Sequence, residues 1–153
     1  MRLNANECEV NLGELTGLEI IQQFAEGTLV VPMVKDFPMR FEHVEKGLIN
    51  GTAKAEKKHC NAMGVVHGGF AAVLLDSITG CVVHTMLEKG VTFSTIDLNI
   101  KMLRPIPVEK QLMFVGKIIS VSRNIGVSEA TISDDNGKIF AHATATCFIF
   151  RPG

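Results

Sequence analysis

The sharpest chemical feature of this sequence is one acidic residue in an apolar run. From Gly68 to about Leu87 nearly every position is apolar, and Asp76 stands in the middle. An ionised carboxylate is costly to bury unless it is paired or hydrogen-bonded. Asp76 is therefore either a structural group bonded to a neighbouring hydroxyl or a catalytic one. Just upstream lies Asn61-Ala62-Met63-Gly64-Val65-Val66-His67-Gly68-Gly69. Two glycines opening a helix leave its first N–H groups without internal partners and at the positive end of the dipole. They also let another molecule approach the backbone. Such donors suit a carbonyl oxygen that gains negative charge. A plain helix-entry turn explains Gly-Gly equally well, and a hydrogen-bonded structural role explains His67. Downstream, Phe93 to Met102 reads as a strand. Strict alternation puts Ser94 on the face of Ile96, Leu98, Ile100 and Met102, toward the helix, and turns Thr95, Asp97, Asn99 and Lys101 away. The Ser94 hydroxyl is then expected within reach of Asp76.

These residues need a scaffold, and 153 residues supply one domain's worth of chain. Hydrophobic residues make up 46% and charged residues 20%, which excludes disorder and collagen-like repeats. Fifteen Lys and Arg against sixteen Asp and Glu give a net charge of −1, the wrong balance for a general binder of nucleic acid or anionic membrane. There is no Trp and no Tyr, which removes a tyrosine acid and most stacking platforms. Cys8, Cys60, Cys81 and Cys147 are scattered without a C-x-x-C pair, and His43, His59, His67, His84 and His142 show no ligand spacing, so no metal site is expected. The N-terminus has no apolar leader, which makes a cytoplasmic chain with reduced, mostly buried thiols the expectation.

Leu15, Leu18, Ile21, Phe24 and Ala25 form the stripe of a short amphipathic helix over 14–26, stopped by Gly27. Residues 28–40 read as irregular connection, and strands follow near 39–45 and 48–57. The run from Gly68 to Leu87 predicts a helix buried on all sides. A membrane span is the rival reading of about 20 apolar residues, but Asp76, His84 and the lack of a second span weigh against it. Four strands follow, near 92–103, 111–121, 126–133 and 138–150, with an Asn-Gly hairpin signal at Asp135-Asn136-Gly137. In the last strand Ala141, Ala143 and Ala145 share one face and let a helix lie close. The pattern is α+β: an antiparallel sheet curled around one long helix.

Asn61-x-x-Gly64-x-x-His67-Gly68-Gly69, then Leu75-Asp76, Ser94-Thr95-x-Asp97-Leu98 and Leu103-Arg104-Pro105, resembles the hotdog-fold acyl-CoA thioesterases, in particular the PaaI-type (phenylacetate-pathway-like) branch. The resemblance runs over about 59–150. It implies one hotdog domain over 1–153, with an N-terminal helix and connection over 1–40 and the core over 41–153. It also implies a homodimer with sites between the protomers, paired further into a homotetramer.

By the same resemblance Asp76 is the catalytic carboxylate, acting on water or attacking directly. Asn61 and the Gly68 N–H hold the thioester carbonyl, Ser94 positions the water, and His67 stands among them. Carboxylate and carbonyl-holding groups come from different protomers. Coenzyme A is part of the substrate, so no separate cofactor is expected. Its phosphates need cationic or backbone contacts, for which Arg104, Arg123, Lys101 and Gly69 are the candidates. Phe70, Leu74, Phe93 and Met102 are candidate linings for the acyl group. Two other activities fit the fold: a hotdog enoyl-CoA hydratase or dehydratase, which uses a catalytic His in other spacings, and a non-catalytic acyl-CoA-binding module, which would have no need of Asp76, Asn61 and Ser94 together.

Overall fold

The computed structural model describes residues 2–5 and 8–152, with side chains from Asn11 onward, so the side chain of Cys8 lies outside the described residues. The elements in chain order are β1 (Arg2–Ala5), β2 (Cys8–Asn11), α1 (Gly17–Glu26), β3 (Met39–Glu45), β4 (Leu48–Lys54), α2 (Gly68–His84), β5 (Thr92–Met102), β6 (Gln111–Val121), β7 (Ile125–Ser133) and β8 (Ile139–Phe150). β1 and β2 form a two-stranded antiparallel ribbon, and the other six strands form one sheet in the order β3-β4-β6-β7-β8-β5. All its neighbouring pairs are antiparallel. α2 packs against β4, β5, β6, β7 and β8. This is the hotdog fold.

Local chemistry explains the element ends. The Thr16 hydroxyl accepts a hydrogen bond from the Glu19 N–H (3.3 Å), and the Glu19 carboxylate accepts one from the Thr16 N–H (2.7 Å). This reciprocal cap starts α1 at Gly17 rather than at Glu14. Gly27 ends it at φ 76°. Between β7 and β8 the Asp134 carboxylate accepts from the N–H groups of Asn136 and Lys138, and Gly137 takes φ 77°, which makes the expected tight turn.

The sheet meets α2 through small residues. A Cβ on Gly116 would lie 2.6 Å from Ile78, and one on Gly126 would lie 2.6 Å from Val83. Ala141, Ala143 and Ala145 are buried beside them, as the alanine row predicts. Phe70, Leu74, Leu75 and Ile78 of α2 interlock with Ile49, Leu112, Phe114 and Ile132 to form the core.

Two expectations fail. α2 is not buried on all sides: Gly69, Ala72, Val73, Asp76, Ser77 and Cys81 form a partly open flank, and Asp76 is exposed. The sheet ends at β5, and small side chains line the stripe it leaves uncovered. A tally of apolar residues reads such a flank as core. The alternation through β5 also breaks, because Thr95 pairs with Cys147 while Asp97 pairs with the next residue back, Thr146. Ile96 is a bulge residue, 60% exposed. One extra residue inverts the facing on its N-terminal side. Phe93 and Thr95, not Ser94, therefore share the α2 side with Leu98 and Ile100. Among the described residues no helix is long and apolar enough to cross a membrane.

Candidate active site

Asp76 stands at a junction. On one side an apolar cavity of about 560 Å³ runs under α1, the connection after it and β3; Asp76, Ser77 and Thr95 are at its polar end. On the other side an open cleft passes between α2 and β5, where Asp76 and Thr95 meet Ala72, Ile96 and Asp97. Thr95 borders both spaces, and its hydroxyl lies 3.9 Å from the buried Cys147 thiol. Ser94 borders neither. It pairs with Phe148 and faces away from α2, against expectation, and the hydroxyl that faces Asp76 is that of Thr95, one residue along. The cause is the bulge at Ile96. The Ser77 hydroxyl donates to the Val73 carbonyl (2.9 Å), which ties that donor to the helix.

The charge of Asp76 is felt nearby. Burial, and then the adjacent carboxylate, push the Cys81 thiol up to about 12, so this cavity-lining sulfur stays protonated and unreactive. Burial also raises the Cys147 thiol, offset in part by its contact with Thr95. Cys60, Cys81 and Cys147 are free thiols.

The loop before α2 is built to hold a donor still. The Asn61 side-chain carbonyl accepts from the Met63 N–H (2.9 Å) and the Val65 N–H (3.2 Å). That fixes the amide and leaves its NH₂ end without a partner among the described residues. His67 is the N-cap of α2, and its Nδ1 accepts from the Gly69 N–H (2.9 Å). The cap gives His67 a structural job and occupies the Gly69 donor proposed for coenzyme A. Among the described residues the Gly68 N–H has no hydrogen-bond partner, and Met102 lies so close that a Cβ on Gly68 would come within 2.7 Å of its sulfur.

A second cavity of about 290 Å³ adjoins this end, with His67, Gly68, Met102 and Arg104 among its walls. Arg104 Nη1 donates to the Ile139 carbonyl (2.6 Å), which holds the guanidinium there. Lys101 lies on the exposed side of β5, and Arg123 sits in the exposed β6–β7 turn, by the C-terminal end of α2; neither borders this cavity. Of the residues expected to line the acyl pocket, Phe93 does so. Phe70 and Leu74 are core, and Met102 belongs to the smaller cavity. The larger walls come from residues 24–41, which read only as a helix and a connection.

Within one chain Gly68 and Asp76 lie eight positions apart along α2, about 12 Å along the axis. One carbonyl cannot touch both.

Comparison with known proteins identifies the family. A family model described as the thioesterase superfamily matches residues 63–141. The chain belongs to the thioesterase superfamily. Mouse acyl-coenzyme A thioesterase 13 is 26% identical over 94 residues, 61% of this chain and 66% of that protein, so the match spans just under two thirds of the relative. A phenylacetic acid degradation-related protein from Ralstonia eutropha superposes with a TM-score of 0.74 at 29% identity, over 83% of this chain and 97% of that one. A Streptococcus mutans protein bound to acetyl CoA superposes with a TM-score of 0.65 at 28% identity, over 74% and 88%.

Proposed function

We propose that this chain hydrolyses acyl-CoA thioesters to a free acid and coenzyme A, as a homodimer whose sites join Asp76 and Thr95 of one protomer to Asn61 and Gly68 of the other. The observation that carries this reading is the exposed Asp76 at the mouth of an apolar cavity, about 12 Å from the open donor of its own helix. β5 closes one end of the sheet with an unpaired edge, the kind of edge that pairs with another strand. The exposed Ile96 and the cleft beside Asp76 lie along it.

In this reading Asp76 takes a proton from a water held by the Thr95 hydroxyl, and the water oxygen bonds to the thioester carbon. The carbonyl oxygen gains charge against the Asn61 amide and the Gly68 N–H. The C–S bond then breaks, and the sulfur leaves with the electron pair and takes up a proton as the free thiol. A thioester is reactive enough that an aligned water, one base and two donors suffice. Arg104, beside the Gly68 end, is the cation proposed for a coenzyme A phosphate.

Thiol release across an acyl-CoA panel tests the proposal, with Asp76→Asn run beside the wild type. Release by the wild type and its loss in the variant are expected. Near-normal turnover by Asp76→Asn overturns the assignment. Water addition to an enoyl-CoA without thiol release would replace it with a hydratase, and binding without any reaction would replace it with a binding module.

A further inference from the structure

We infer that the acyl group this chain selects is a flexible aliphatic chain rather than an arylacetyl group, and that the segment from Phe24 to Val34 sets its length. The inference rests on the thioesterase reading and goes beyond it by naming the substrate class.

Volume comes first. An apolar cavity of about 150 Å³ accommodates one benzene ring. The cavity at Asp76 measures about 560 Å³, so one ring would occupy about a quarter of it. A void left unfilled forfeits both burial and contact with its lining, whereas a chain that can fold along the walls recovers them.

Chemistry comes second. The groups able to hydrogen-bond inside this cavity gather at the reacting end: Asp76, Ser77 and Thr95. Away from them the wall is Phe24, Leu29, Val31, Met33, Val34 and Met39. The remaining charged residues that border it, Glu26 and Arg40, are exposed. A ring bearing hydroxyls would bury them there unpaired, a costly arrangement.

Direction comes third. Along α2 the cavity is bordered by Asp76, Ser77, Gly80 and Cys81, so it extends from the reacting carboxylate toward the C-terminal end of the helix, away from Gly68. At Gly80 the missing side chain admits the Phe93 ring, which a Cβ would approach to 2.9 Å.

The outer wall belongs to the α1 segment. Gly27 turns the chain at φ 76°, the Thr28 and Leu29 N–H groups donate to the Gln23 carbonyl, and Leu29 is 2% exposed. The next residues are a single layer. Val30 and Met33 border the cavity and are also 54% and 38% exposed to solvent. At the far end His59 Nε2 donates to the Asp36 carbonyl, and its ring stacks on Phe37 (centroids 5.5 Å apart), which fastens the wall to the core.

Two measurements on the full-length protein test this. The first is kcat/KM over unbranched acyl-CoAs from two to sixteen carbons, with phenylacetyl- and hydroxyphenylacetyl-CoA included. A rise of about fourfold per added methylene is expected until the cavity is full, the equivalent of about 0.8 kcal/mol for each buried CH₂. The second is calorimetric binding of S-alkyl-CoA thioethers, which cannot be hydrolysed, over the same lengths. Ala25→Phe should lower the long-to-short ratio at least tenfold in both series. Phe24→Ala should move the optimum to longer chains, and it serves if Ala25→Phe fails to fold. A flat length profile, or an arylacetyl preference, overturns the inference while leaving hydrolysis standing. Length-dependent thioether binding with no thiol release from any substrate overturns the hydrolytic reading and leaves this one standing.

Discussion

The two flanks of α2 carry opposite assignments in one helix. On the sheet side Leu75, Ile78, Val82 and Val83 are fully buried, and they press on strands that present Gly116, Gly126 and the alanines of β8. On the other side Ala72, Val73, Asp76, Ser77 and Cys81 stay partly open and border the two spaces that meet at the carboxylate. The packed flank determines whether the chain folds, and the open flank determines what it can do. Because successive helical positions fall on different sides, the two tasks interleave in sequence and part in space. Substitutions should therefore sort by flank, not by distance along the chain.

The sharpest separation is expected at Asp76. Asp76→Asn should lower kcat by about 10²–10⁴-fold while the melting temperature stays near wild type, since the residue is exposed. Equal losses of activity and stability would erase the distinction between the flanks. On the packed flank, Gly116→Ala drives a methyl group into Ile78 and Val82, contacts of 2.6 and 2.8 Å. Overpacking of this kind costs about 1–3 kcal/mol, read as a lower denaturation midpoint, whereas Ala72→Ser on the open flank should change stability by no more than about 0.5 kcal/mol.

Thr95→Ala should reduce kcat about two- to tenfold, the worth of one hydrogen bond, and Ser94→Ala should not. The reverse result would restore the unbroken alternation in β5. The smallest effect belongs to His84, whose ring packs at a tilt against Phe93 (centroids 5.2 Å apart) and whose pKa burial holds below the ordinary histidine value. As pH falls through about 6.5, the unfolded chain takes up a proton at His84 that the folded chain refuses. Stability therefore declines on acidification, until the folded value is passed. His84→Asn should flatten that part of the stability profile measured by denaturant titration.

Much of the scaffold is legible in the residues. Alternation locates β3 and β5–β8 to within a residue or so, the Asn-Gly step marks the last hairpin, and the alanine row of β8 indicates how closely the helix approaches. Three features escape that reading for identifiable reasons. A period of two cannot register the extra residue at Ile96, so Ser94 rather than Thr95 was read as facing the helix. Apolar composition cannot separate a buried helix from one with an open flank of small side chains, so Asp76 read as interior. The cavity wall over 24–41 has no motif, because Leu29, Val31 and Met33 acquire their task only when α1 and β3 bring them beside α2. Asp76 and the Gly68-Gly69 pair were visible from residue type alone. The cap made by His67 was not, since an imidazole accepting from an N–H two residues on leaves no signature in spacing.

The gap of about 12 Å between Gly68 and Asp76 has a genetic counterpart. Two disabled versions of the protein, Asp76→Asn and Asn61→Ala, should rescue each other when co-expressed. In the proposed homodimer, each mixed pair has one pocket with both lesions and one with neither. With random partnering about a quarter of the normal rate should return, while either version alone stays silent.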